Sequence, residues 1–361
     1  MAALNAWQKL DRVVGGKPFG NGSDGALSSA TIPTMKVKAC TGTATNTKFA
    51  ADTDAAPFEV GDIILLHQSR GTGVGQWEIV KVASVGSDEY NTTTALNYTY
   101  ISPAQAIVIK QYTDVTLETG TWTLTDWGGT TGGILVFACN GTYTQTGAIS
   151  GAYKGYRGGP RAADPGSSAS SGEGGSGQPG SAATGAGVWG NNAGPGGGYG
   201  TAGTEGQGSN GTEGAAYGSA DLTVISFGGA GSGNNANPIT NAGNGGDSGG
   251  IVMIFAKTIA TPTGVAAMTG ENGDAGSDRG GGAGSGGAIL LVCQTAALGT
   301  NKYTAAGGTG GVGTTGEDGG NGGVGRIAVH HSGTVDGTTS PTFDDTEDLT
   351  LIESGGFLGI L

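Results

Sequence analysis

The chain has little charge, little sulfur, almost no histidine and no long apolar run. Of 361 residues, 16 are Lys or Arg, 29 are Asp or Glu and three are His. Charged residues make up 12%, about half the usual share. The net charge of −13, with no basic cluster, excludes nucleic acid and anionic membrane as natural partners. No apolar stretch approaches the ~18 residues that read as a membrane span, so no insertion is expected. Met1 to Arg12 has no apolar core behind a basic flank, so no secretory signal peptide is expected. Cys40, Cys139 and Cys293 imply no disulfide framework.

These absences also thin out the enzymatic options. Gly246-Asp-Ser-Gly-Gly250 spells the segment around a trypsin-like nucleophile, but that chemistry needs a histidine base oriented by a carboxylate. His67, His330 and His331 stand in no such context. Several Gly-x-Gly-x-x-Gly matches occur by weight of glycine, and none follows a strand with a downstream acidic residue as a dinucleotide site requires. A polysaccharide depolymerase needs two opposed carboxylates, and no acidic pair here has distinguishing context. The expectation is a non-enzymatic protein without a cofactor. Glu271, Asp274 and Asp278 recur in kind as Glu317, Asp318 and Asn321 about one unit later. They leave open a weak oxygen-ligand calcium site or solvated loop tips, and the spacing fits neither an EF-hand nor a nonapeptide calcium repeat.

What the chain has is glycine: 78 residues, about a fifth of the total against about 7% in ordinary proteins. There is no Gly-X-Y period, so collagen is excluded. One phrase recurs inside the glycine. It reads Gly132-Gly-Ile-Leu-Val-Phe-Ala-Cys139, Gly249-Gly-Ile-Val-Met-Ile-Phe-Ala256, Gly286-Gly-Ala-Ile-Leu-Leu-Val-Cys293 and, more weakly, Val324-Gly-Arg-Ile-Ala-Val-His-His331. Alternation places Leu135, Val252, Ile289 and Ile327 on one face and Val136, Met253, Leu290 and Ala328 on the other. Both faces are apolar in the first three copies, as in strands covered on both sides. Arg326 and His330 turn one face of the fourth copy polar, which suits a terminal strand. Cys139 and Cys293 share one slot and read as small core fillers.

The expected fold is all-β, in four parts. Residues 1–29 give a short helix carrying Leu4, Trp7 and Leu10, then a linker. Residues 30–114 give a small all-β domain with strands near 34–39, 62–67, 77–83, 93–98 and 106–111. Residues 115–335 give stacked β units, solenoid- or sandwich-like, with a glycine-rich insertion over 151–250. Residues 336–361 form a tail ending on Phe357, Leu358, Ile360 and Leu361. Such an apolar end, like the amphipathic start, suits assembly with a partner. Composition alone would call 153–246 disordered. Glycine chains can instead pack as extended helices of three residues per turn, ordered because no side chain separates their backbones.

The tracts 172–208, 280–287 and 307–325 resemble those of glycine-rich adhesins at the tips of tailed-phage fibres. That resemblance implies ordered, polyglycine-II-like layers presenting aromatic-bearing loops to a host surface, and a place on the virion. The rings and the cation standing among small residues are Tyr153, Tyr156, Arg157, Trp189, Tyr199 and Tyr217. They read either as receptor-binding anchors or as a cover for the glycine layer. The expected partners are other virion proteins, a host-surface glycan or protein, and further copies of the chain.

Overall fold

The structure is a computed structural model that describes residues 10, 13–52, 58–161, 171–174, 193–208, 212–234, 242–314 and 317–351. Trp189 and the expected assembly residues Leu4, Trp7, Phe357, Leu358, Ile360 and Leu361 lie outside that set. The fold is all-β: a closed six-stranded barrel packed against a curled, parallel twelve-stranded sheet. Among the described residues no helix is long and apolar enough to cross a membrane.

After β1 (Leu27–Ser29) come the barrel strands, β2 (Val37–Gly42), β3 (Lys48–Ala50), β4 (Ile63–Gln68), β5 (Trp77–Val85), β6 (Glu89–Thr92) and β7 (Tyr100–Val108). They close in the order β2-β3-β6-β5-β4-β7, antiparallel throughout. β4 is buried along its whole length because both of its faces have work to do. Ile64 and Leu66 point into the barrel with Phe49, Val80, Tyr90 and Tyr100. Ile63 and Leu65 point out, with Trp77, Ile79 and Ile107, into a core shared with the sheet. The barrel is therefore joined to the rest of the chain through a common apolar interior. The strand expected over 93–98 is not formed. Glu78 accepts the backbone N–H groups of Asn97 (3.0 Å) and Tyr98 (3.2 Å), taking donors a ladder would need, and the strand lies earlier, at β6.

The sheet is built from β8 (Lys110–Tyr112), β9 (Val115–Leu117), β10 (Thr121–Thr123), β11 (Ile134–Gln145), β12 (Ala148–Ser150), β13 (Ile251–Ile259), β14 (Ala266–Ala267), β15 (Ala288–Thr304), β16 (Arg326–His331), β17 (Val335–Ser340) and β18 (Asp344–Glu347). β11, β13, β15 and β16 pair in parallel with Ile134, Ile251, Ala288 and Arg326 in one row. The two faces feed two cores. Val136, Met253, Leu290 and Ala328 join the core shared with the barrel. Leu135, Val252, Ile289 and Ile327 join a second core closed by Leu117, Trp122 and Ile149 on the returning strands β9, β10 and β12. Cys139 and Cys293 are buried in that second core, where desolvation pushes their thiols up to about 11 and about 12. β1 pairs with β9, so residues 27–29 belong to the sheet. β16 is not terminal, since β18 adds to its edge and the 151–250 insertion covers its polar face. Arg326 donates to the Tyr217 carbonyl (2.9 Å), and His330 meets that of Asp221 (2.7 Å).

The glycine segments bond to one another largely through their backbones. Along 280–287 the N–H groups take three directions in turn. Gly281, Gly284 and Gly287 donate to Asp274, Glu271 and Met268; Gly282 and Ser285 to Ser232 and Gly229; Gly280, Ala283 and Gly286 to Glu317, Gly320 and Gly323. Its carbonyls accept from three further segments, at Gly194 and Gly197, Gly246 and Gly249, and Gly308 and Gly311. Such proximity leaves no room for a side chain: a Cβ on Gly281 would lie 1.9 Å from the Asn244 carbonyl oxygen.

A Gly281→Ala substitution should therefore cost about 3 kcal/mol or more in urea unfolding. Gly128 meets only the Thr131 oxygen at an ordinary 3.6 Å, so Gly128→Ala should be neutral or stabilising by up to about 1 kcal/mol. Equal midpoints for the two variants would contradict this packing.

Candidate binding surface

Residues 222–227 of the insertion bind the barrel. Ile225 donates its N–H to the Gly75 carbonyl (3.0 Å), and Trp77 Nε1 donates to the Leu222 carbonyl (3.3 Å). Gly75 has φ of 82°, and a Cβ there would sit 2.7 Å from Val224 Cγ1, so the tight loop before β5 is also a docking notch. His67 Nε2 lies 2.9 Å from the Ile225 carbonyl. A carbonyl only accepts, so Nε2 carries the proton and Nδ1 accepts from the Ser69 hydroxyl at 2.9 Å. Gln105 Nε2 donates to that hydroxyl oxygen at 2.8 Å. This buried Ser–His pair is satisfied within the protein and reads as structural.

Two of the rings expected on loop tips are inside the molecule instead. Tyr156 is buried, donates its hydroxyl to the Ser69 carbonyl and packs edge-on against Trp127 and Phe227. Tyr199 is also buried, 4.8 Å from the Tyr217 ring and 5.5 Å from the Arg326 guanidinium. Desolvation pushes the Tyr199 phenol up to about 12. Tyr217 is half-buried and donates to the Phe227 carbonyl, its phenol raised well above its ordinary value by burial. The physical reason is that glycine segments supply no apolar side chains. The rings provide them, filling the space between barrel, insertion and sheet. Tyr153 alone among the described rings of the set is exposed, at 45%, and it is held at φ 63°. Leu10 is buried in the shared core with Val13 and Phe19, which occupies it within this chain.

Arg157 is exposed and forms part of a cluster that sequence reasoning missed. Its guanidinium meets Glu173 Oε1 at 2.5 Å, Arg70 of the barrel meets the same oxygen at 3.4 Å, and Trp127 Nε1 donates to Oε2 at 3.2 Å. Three regions of the chain thus converge on one carboxylate. The available signal was that Glu173 is the lone acidic residue between Asp164 and Glu205. Burial alone would raise its pKa, but the hydrogen bonds from Arg157 and the charges of Arg157 and Arg70 outweigh that and hold it below the ordinary value.

Several glycine segments are also cross-linked near Arg279. Arg161 donates to Asn244 Oδ1 (3.0 Å), Ala193 to the Gln207 carbonyl and Asn234 to that of Gly243. Arg279 bridges to Ala242 and Glu317, and its side chain is buried and paired with Glu317. The carboxylates offered for calcium do not come together. Glu271 Oε2 accepts from the Asp247 N–H, Asp274 Oδ2 from Asn244, and Asp278 faces Arg279. Among the described residues no three acidic, histidine or cysteine side chains form a metal-holding group. Ser248 is buried and hydrogen-bonded to no histidine. Comparison with protein-family models and with curated proteins finds no match for the chain.

A depressed carboxylate pKa gives stability that is present above the unfolded value, about 4.3, and is lost as pH falls through the lower folded value. Wild type should therefore lose more stability than Glu173→Gln on acidification below about pH 4.5, and at pH 7 the variant should be about 1–2 kcal/mol less stable. Parallel stability–pH curves for the two proteins would remove Glu173 as the pin of this cluster.

Proposed function

We propose that the chain is a non-enzymatic surface component of a phage particle, a tail-fibre adhesin that presents glycine-rich loops to a host-surface glycan. The observation that carries this reading is the backbone pattern of 280–287. Bonds that change direction at each residue and repeat every third, all to other segments, match a packed bundle of three-residue-per-turn helices. On this reading the parallel strands are stacked rungs, and each rung sends a glycine excursion into a polyglycine-II-type layer. The layer is a rigid mount. Loops on a rigid scaffold bind with less ordering cost than free ones. Tyr153, Arg157 and Trp189 are then the candidate anchors; the two apolar termini join other virion proteins or further copies.

The burial of Tyr156 and Tyr199 favours a second reading for those two rings, in which they stabilise a purely structural subunit. One experiment separates the readings. Labelled full-length protein is applied to a panel of bacterial cells beside Tyr153→Ala and Trp189→Ala. An adhesin binds selected strains, and each variant loses at least ten-fold in affinity while melting as wild type does. Binding to no strain by well-folded protein would support the structural subunit.

A further inference from the structure

The last part of the sheet leaves a cleft. β18 begins pairing at Ala328, opposite Asp344, so Arg326 and Ile327 have no β18 partner. Pro341, Thr342 and Phe343 precede this pairing, and with Arg326 and Thr201 they line a cleft of about 300 Å³. This is at the small end of ligand pockets, which run from about 300 to 1,000 Å³.

The lining is mixed in a particular way. Phe343 is half-buried, packs against the second core and lines the cleft. Arg326 spends one N–H on the Tyr217 carbonyl (2.9 Å) and a second, long one on that of Tyr199 (3.5 Å), while Tyr199 lies under its plane. A guanidinium has five N–H groups, so donors remain. Their carrier is fixed in place by the stack and the two carbonyls. Asp344 accepts from Thr346 through Oδ1 at 3.0 Å, and a carboxylate has further acceptor capacity. Thr342 and Thr201 are exposed at the rim.

We propose that this cleft binds a neutral pyranoside. A sugar ring offers what these groups take: axial C–H groups for the face of Phe343, and adjacent hydroxyls that accept from Arg326 and donate to Asp344. An acidic sugar fits less well, because Asp344 lines the cleft and the whole chain carries net −13. The proposal rests on the glycan-binding reading above and gives it a ligand class and a place on the chain.

The test is saturation-transfer NMR on the full chain with the methyl glycosides of glucose, mannose, galactose and N-acetylglucosamine, and with methyl glucuronide. At least one neutral glycoside should receive saturation, and Thr342→Arg, which fills the cleft from an exposed position, should abolish it. Phe343→Leu should weaken it at least ten-fold with the melting curve retained. Saturation of no neutral glycoside, saturation unchanged in both folded variants, or preference for the glucuronide would each overturn the proposal. Cell binding by the same proteins separates it from the adhesin reading. Wild type and Thr342→Arg binding cells equally would sink the cleft and leave the adhesin. Cleft-dependent sugar binding by a protein that binds no cell would do the reverse.

Discussion

Backbone amides that find their partners on neighbouring segments, with no side chain between, are the constraint on which this molecule depends. Where the approach is closest it needs a residue without a Cβ: at Gly282, Gly284 and Gly287 a Cβ would fall about 2 Å from a carbonyl oxygen. Ordering glycine carries a larger backbone-entropy cost than ordering any other residue. What offsets it is hydrogen bonding shared in six directions around 280–287, combined with direct attachment of two tracts to buried strands. Gly287 runs straight into Ala288 of β15, and Gly325 into Arg326 of β16.

Glycine segments have no apolar surface of their own, so their attachment to the barrel and sheet depends on a few large side chains. Phe227, Trp127 and Tyr156 pack ring against ring where barrel, insertion and sheet meet. Burying a Phe-sized side chain contributes about 2–3 kcal/mol relative to exposure. Each of these rings also brings or neighbours a hydrogen bond that fixes its register, as Tyr156 does to Ser69 and Trp127 to Glu173. The barrel takes part through the outward faces of β4, β5 and β7, and therefore acts as a wall of the larger core.

Much of this was legible along the chain. The four Gly-Gly-strand phrases align residue for residue with the observed pairing of Ile134, Ile251, Ala288 and Arg326, because a parallel ladder with both faces buried admits one register. The burial of Cys139 and Cys293 follows from the same alignment. Less legible was the region from Glu89 to Tyr98, where a carboxylate on β5 draws off the amides of Asn97 and Tyr98. The candidate site was the least legible part. Ring and cation positions in a glycine-rich stretch carry no periodicity, so nothing in 153–217 distinguishes the exposed Tyr153 from the buried Tyr156.

The sequence by itself determined the all-β class, the strand register and the need for close backbone approach. Each of these is set by side-chain alternation or by the missing Cβ, and both can be read residue by residue. Only the tertiary structure decided which rings are buried, that Glu173 gathers Arg70, Arg157 and Trp127, and that an incomplete last pairing leaves a cleft beside Arg326. Those outcomes depend on segments up to a hundred or more residues apart meeting in space, as Arg70 meets Glu173 and Arg326 meets Tyr217. No local pattern encodes such meetings, because the partners are chosen by the packing of whole layers.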